Sequence, residues 1–309
     1  MKKERDLIIG TRGSRLAIWQ AEWVRAEIKR HFPDMQVSLK KIKTTGDRIT
    51  DAPLAKIGGK GLFVKEIEES MLRCEIDIAV HSMKDLPVDI PEELHISAIT
   101  PREDPRDILI SRCGLKLSSL SEGAKIGTSS LRRSSQLKYY RNDLNIHPLR
   151  GNLDTRIKKL ISEGLDAIVL ASAGVKRLGF KDQITEYIPF EISLPAIGQG
   201  ALGIETRISD EDVNQIVKIL EDRETAICVT GERGFLQRLE GGCQVPIACY
   251  GKMKDGKLHL EGMVAGIDGS ELIRDGIKGN PDKAIEMGII LAESILSKGG
   301  DRILREVYG

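Results

Sequence analysis

The stretch Leu7-Ile8-Ile9-Gly10-Thr11-Arg12-Gly13-Ser14 decides the fold, because its centre returns later in the chain. Ile9-Gly10-Thr11 is echoed by Ile126-Gly127-Thr128, each time between an apolar strand-like run and a helical pattern. Asp77-Ile78-Ala79-Val80 is echoed in turn by Asp166-Ala167-Ile168-Val169. The echoes keep their order, which points to two similar α/β domains, the first lengthened by the segment Thr44 to Gly61.

Working outward, Ser14 to His31 reads as a helix, with Leu16, Trp19, Trp23 and Val24 near helical spacing. Val37 to Lys43 reads as a strand, and the Gly-, Lys- and Thr-rich Thr44 to Gly61 as a mobile loop. Phe63 to Leu72 reads as a helix and Ile76 to Val80 as a buried strand. After about residue 220 the pattern changes. Lys257 to Ala265 and Leu272 to Ile277 read as antiparallel strands separated by Asp268-Gly269, and Ala284 to Leu296 as an amphipathic helix. The fold class is therefore α/β with a smaller α+β domain at its C-terminal end. In open α/β sheets ligands sit beyond the carboxyl ends of the strands, and two such domains give a cleft.

Composition narrows the function. A chain of 309 residues needs two or three domains. Its 40% hydrophobic and 30% charged residues suit a soluble globular protein, and a net charge of +1 argues against a nucleic-acid surface. No secretory signal is legible, and no apolar run approaches the ~18 residues of a membrane span. Five cysteines without a C-x-x-C pair fit a reducing cytoplasm, and the five histidines show no metal-ligand spacing.

Two glycine-rich stretches mislead. Gly198-Gln199-Gly200-Ala201-Leu202-Gly203 fits G-x-G-x-x-G, but Pro195 precedes it and a strand-like Ile204 to Arg207 follows, where a dinucleotide site needs a helix. It reads instead as a backbone crossing between domains. Gly58-Gly59-Lys60-Gly61 lacks the Ser or Thr of a Walker loop.

Arginines are placed more tellingly. Arg12 follows Gly10-Thr11, and Arg132-Arg133 follow Thr128-Ser129-Ser130, both where a strand feeds a helix. Helix N-termini attract anions, hydroxyls can cap the helix or hold a carboxylate, and the guanidinium fork matches carboxylate. Arg150-Gly151-Asn152, Arg156 and Lys176-Arg177 add cations near strand ends. Their joint placement points to a polyanionic ligand, with a solvated basic face as the plainer reading. Asp85, in His81-Ser82-Met83-Lys84-Asp85-Leu86-Pro87, sits at the end of a buried strand, fit either for catalysis or for turning the chain before Pro87. His81 reads as structural. Cys243, in Glu240-Gly241-Gly242-Cys243-Gln244-Val245-Pro246, reads as an accessible thiol in a tight loop, whereas Cys74, Cys113 and Cys228 read as small core residues.

These stretches, with Thr45-Gly46-Asp47, the run Pro53 to Glu66, Arg102 to Asp107 and Leu194 to Gly200, resemble the hydroxymethylbilane synthase (porphobilinogen deaminase) family in family order over nearly the whole chain. The resemblance implies two domains like the halves of a type II periplasmic binding protein plus the small α+β domain. Residues 1–99 with 200–219 would form the first, 100–199 the second and 220–309 the third. It implies a dipyrromethane cofactor on Cys243 through a thioether, and Asp85 as the catalytic carboxylate. Ser14, Ser82, Lys84, Thr128, Ser129, Ser130, Arg132, Arg133, Gly151 and Arg156 would bind the cofactor. Arg12, Lys56, Lys60, Phe63, Arg150, Arg177 and Gln199 would bind substrate, with the Thr44–Gly61 loop covering the cleft.

The implied activity joins four porphobilinogen molecules, with loss of ammonia, into a linear tetrapyrrole, in a cytoplasmic monomer without metal, nucleic acid or membrane. Porphobilinogen carries an acetate and a propionate, so carboxylates accumulate as the product grows and need cationic partners. Cys249 and Arg15 depart from what many relatives are expected to carry. A solute-binding protein or regulator domain of the same fold would leave the Gly241-Gly242-Cys243 loop unexplained, and a cysteine hydrolase would lack a His partner.

Overall fold

Ser14 ends the first strand and starts the first helix: its Oγ accepts the Ala17 amide at 3.2 Å. In this computed structural model, which describes residues 6–48, 63–239 and 245–308, strand β1 (Leu7–Arg12) thus leads directly into helix α1 (Arg15–His31). The helix buries Gln20, Ala21, Val24 and Ile28 and ends in Lys29-Arg30-His31, cations that suit the negative end of its dipole.

The first sheet has the order β2 (Val37–Ile42), β1, β3 (Ile78–Ser82), β10 (Leu202–Arg207), β4 (Leu94–Ile99). Strands β2, β1 and β3 are parallel; β10 runs antiparallel to β3 and β4. Helix α1 covers one face through Leu7, Ile9, Val24 and Ile78. Helix α3 (Lys65–Leu72) covers the other through Ile67, Met71, Ile76 and Ala79.

The second sheet repeats this plan: β7 (Asn145–His147), β6 (Lys125–Gly127), β8 (Ala167–Ala171), β5 (Asp107–Ser111), β9 (Glu186–Tyr187), with β7, β6 and β8 parallel and β5 antiparallel to both its neighbours. The sequence echoes are therefore structural. Asp77 Oδ2 accepts the Ile8 amide at 3.0 Å, and Asp166 Oδ2 accepts the Lys125 amide at 2.8 Å. The fold is α/β, built on two five-stranded sheets of matching strand order.

The third sheet is an antiparallel meander of β11 (Ile247–Lys254), β12 (Lys257–Ala265) and β13 (Leu272–Gly279). Helices α8 (Arg223–Arg238) and α9 (Ala284–Ile295) contribute Phe235, Leu291 and Ile295 to its core. The chain divides into two compact units, Met1–Arg102 with Ala201–Ala226, and Glu103–Gly200 with Ile227–Gly309; the third sheet belongs to the second unit. Among the described residues no helix is long and apolar enough to cross a membrane.

Several sequence expectations shift. The strand expected over 76–80 lies at 78–82, so His81 and Ser82 are inside it. The expected loop from Thr44 begins with one helical turn, α2 (Thr45–Arg48), and the Thr45 amide donates to Glu66 Oε1 at 2.7 Å. Its remainder, with Lys56 and Lys60, lies outside the described residues. Cys228 is buried as expected, but Cys74 and Cys113 are exposed. Cys74 takes a positive φ of 56° just past α3, and Cys113 sits in the turn after β5; both chain reversals point the side chain outward.

Candidate active site

Parallel strands β1 and β3 end at the same edge of the first sheet, and this sets which residues gather there. Beyond β3 the chain makes a single 3-10 turn, Met83–Asp85. Met83 is buried and anchors the turn: a Cβ on Gly203 of β10 would lie 2.3 Å from the Met83 sulfur, so a larger residue there would displace the Met83 side chain. Asp85 is exposed, and its carboxylate has no hydrogen-bond partner among the described residues; Lys84 is half-buried. Ser82 Oγ accepts from Gln20 Nε2 at 3.0 Å, which ties the strand end to α1. Arg12, at the end of β1, stacks its guanidinium 4.0 Å above the Phe63 ring. The first unit thus brings Arg12, Ser14, Phe63, Ser82, Lys84 and Asp85 to elements that begin or end at one sheet edge.

In the second unit, β6, β7 and β8 are parallel and lead into α4 (Leu131–Tyr140), α5 (Leu153–Ser162) and α6 (Ser172–Arg177). Ser130 caps α4, accepting the Arg133 amide; Thr128 Oγ1 accepts the Ser130 amide at 3.2 Å; Ser129 Oγ donates to the Leu149 carbonyl at 3.0 Å. Gly151 has φ +107°, and Asn152 caps α5. Arg156 Nε donates to the Gly151 carbonyl at 2.8 Å, so Arg156 and the Arg150-Gly151 loop stand together. Both arginines are partly exposed.

Arg132 and Arg133 differ from these. Both are buried and grip Asp107, the first residue of β5. Arg132 Nη1 and Nη2 reach its two oxygens at 2.8 and 3.2 Å, and Arg133 Nε reaches Oδ1 at 2.9 Å. Ser193 Oγ and Gln199 Nε2 complete the shell at 2.9 and 3.0 Å. Burial alone would raise the Asp107 pKa, but the two guanidiniums outweigh it and hold the carboxyl well below its usual range. A solvated basic face is therefore the wrong picture for this pair. Sequence reasoning quoted Asp107 within a motif but gave it no role; the available signal was a carboxylate opening the apolar run Ile108-Leu109-Ile110.

Arg177 donates to the Gly200 carbonyl at 2.7 Å, and burial pushes its pKa down to about 10 against the pull of Glu103. Gly198 and Gly200 take φ of +69° and +95°, so the G-x-G-x-x-G stretch is the crossing where the second unit gives way to the first, as its flanks suggested. Cys249 is fully buried in β11. Cys243 lies outside the described residues.

Two family models match this chain: "Porphobilinogen deaminase, dipyromethane cofactor binding domain" over residues 7–215, and "Porphobilinogen deaminase, C-terminal domain" over residues 226–297. A porphobilinogen deaminase of Geobacter metallireducens is 55% identical over 98% of this chain and 95% of its own length. One from Chlorobium luteolum is 53% identical over 99% of both. The chain belongs to the porphobilinogen deaminase family.

Its cofactor is a dipyrromethane, a group rich in carboxylates. The residues present suit it. Arg150, Arg156 and Arg177 supply guanidiniums in the second unit, and Arg177 is a cation whose burial is not fully offset by the acid beside it.

Proposed function

We propose that the chain condenses four porphobilinogen molecules, with loss of four ammonia molecules, onto a dipyrromethane held by Cys243, and releases the linear tetrapyrrole by hydrolysis. In each condensation the aminomethyl C–N bond of the substrate breaks and a C–C bond between pyrroles forms. When bound, the group supplies the pyrrole α-carbon that enters this new bond.

The observation that carries the reading is Asp85. Its carboxylate is exposed at the end of β3, without a hydrogen-bond partner among the described residues, on a turn pinned by buried Met83. Loss of ammonia leaves positive charge on the substrate pyrrole. A carboxylate fixed opposite the pyrrole nitrogen stabilises that charge by about 3–4 kcal/mol, the scale of other preorganised electrostatic sites. Arg12, Arg150, Arg156 and Arg177 pair with acetate and propionate groups, with Lys56 and Lys60 joining them from the Thr44–Gly61 segment. Phe63 holds Arg12 in place, and Gln199 braces Arg133. Ser14, Ser82, Lys84, Thr128, Ser129, Ser130 and Gly151 shape the strand ends around the cofactor, and Arg132 and Arg133 build the floor beneath it.

We read three domains here, 1–99 with 200–219, 100–199 and 220–309, in a monomeric cytoplasmic enzyme that needs no nucleic acid. The test is the intact mass of the denatured protein together with turnover of porphobilinogen. An adduct of two pyrrole units and one ammonia per substrate consumed are expected; an unmodified chain that leaves porphobilinogen untouched overturns the reading.

A further inference from the structure

Behind the Asp85 turn lies a group of three titratable side chains, two buried and one half-buried, that the proposed reaction does not use. Strands β3 and β10 set His81 opposite Gly203 and Ala79 opposite Glu205. Opposed residues share a face, so His81 and Glu205 stand with Ala79 on the face that α3 covers. His81 Nε2 lies 2.8 Å from Glu205 Oε2, with Glu205 fully buried and His81 nearly so. Helix α3 brings a second carboxylate, Glu68. Glu68 Oε1 and Glu205 Oε1 are both buried with no hydrogen-bond partner among the described residues.

The charge balance of this group decides its protonation. With both glutamates ionised, two carboxylates share His81 as their one facing partner and two of their oxygens lie buried without a hydrogen bond among the described residues, which is costly. The other charged groups on the strands under α3 are otherwise engaged: Arg12 of β1 stacks on Phe63, and Arg207 of β10 pairs with Asp77 and Asp210. A proton on Glu68 neutralises the group. Burial and the neighbouring Glu205 push the Glu68 pKa up to about 7, with His81 pulling the other way.

We propose that Glu68, His81 and Glu205 are positioning residues for the reaction: a proton kept on the two carboxylates makes the group neutral, and the neutral group fixes the end of β3 from which Asp85 projects. The inference rests on the reading of Asp85 as the charge-bearing carboxylate. Once the proton is lost, the carboxylates repel each other between helix and sheet, and the His81–Ser82 strand end loses its fixed place. The effect falls on kcat, because no member of the group needs to touch the substrate.

The experiment uses the cofactor-loaded enzyme, its Glu68→Gln and Glu205→Gln forms, and Asp85→Asn. It reads kcat and KM across about pH 6 to about pH 9, and the Glu68 carboxyl titration by carbon-13 NMR. In the parent, kcat should fall through a pKa near 7 while KM stays within about twofold, and Glu68 should titrate in the same range. Glu68→Gln, uncharged like the protonated acid, should remove that fall. Glu205→Gln should lower kcat about tenfold at every pH and move the Glu68 titration downward, with burial still holding it above the ordinary carboxyl range. An unchanged kcat profile in Glu68→Gln, or a parent Glu68 that titrates in the ordinary range, overturns this inference while leaving an inactive Asp85→Asn to support the reading beneath it. Near-parent turnover in Asp85→Asn overturns both.

Discussion

Arg132 and Asp107 form a two-pronged ion pair in the interior of the second unit, at 2.8 and 3.2 Å, and the neighbouring Arg133 shares the same carboxylate. Two guanidiniums on one acid leave a net positive charge inside the protein, with the Leu194 and Val169 carbonyls as further acceptors. The helix start that carries both arginines is thereby fixed before any ligand arrives.

Asp107→Asn should cost about 3–5 kcal/mol of stability, because it strands two buried cations. The pH dependence follows from the depressed carboxyl pKa. The folded pKa lies below the unfolded one, so the stabilisation is complete above the ordinary carboxylate range and is lost as pH falls toward the folded value. The gap between parent and variant in urea unfolding should therefore be widest near neutrality and shrink below about pH 4. A constant gap would mean that the ion pair is not the source of the loss.

Arginine substitutions should separate into two kinds. Arg150→Leu and Arg156→Leu alter partly exposed side chains, so unfolding should move by no more than about 0.5 kcal/mol while the distribution of enzyme-bound pyrrole intermediates changes. Arg132→Leu should destabilise by several-fold more, because it removes the two-pronged partner of buried Asp107 and leaves Arg133 alone to offset its charge. Mass spectrometry of the intermediates beside denaturant curves reads both, and equal stability losses in all three variants would contradict the division.

Asp85→Asn should fold normally, keep the adduct mass and lose about 10²–10³ in kcat. The stability cost should be under about 0.5 kcal/mol, since the exposed carboxylate makes no hydrogen bond among the described residues. Near-normal tetrapyrrole production would remove Asp85 from the chemistry.

Cys249→Ser should retain both adduct and turnover, at a cost of about 1–2 kcal/mol for a hydroxyl placed among Phe235, Leu260 and Leu291. Cys243→Ser should yield a folded protein without the thioether. Peptide mapping of the parent decides, and a dipyrromethane recovered on the Cys249 peptide would reverse the assignment.

The doubling of the α/β plan was legible because strand and helix periods are local, and because Asp77 and Asp166 do the same local work at the mouths of β3 and β8. Their arginine partners were not. Arg207 pairs with Asp77 at 3.0 Å from the antiparallel strand β10, and Arg112 pairs with Asp166 at 2.9 Å from the turn that follows the antiparallel strand β5, each far along the chain from its partner. The exposed Cys74 and Cys113 were misread for a related reason: residue type indicates burial only on average, and both fall where the chain reverses.

From the sequence alone came the α/β class, the family and the helix that starts at Ser14, all of which rest on neighbours along the chain or on motif order. Tertiary structure alone decided that Arg132 and Arg133 close on Asp107, that Met83 pins the Asp85 turn under Gly203, and that Glu68, His81 and Glu205 meet beneath α3. The physical reason is that a buried charge takes its pairing and its protonation from groups brought close by packing, and no spacing along the chain records which groups those are.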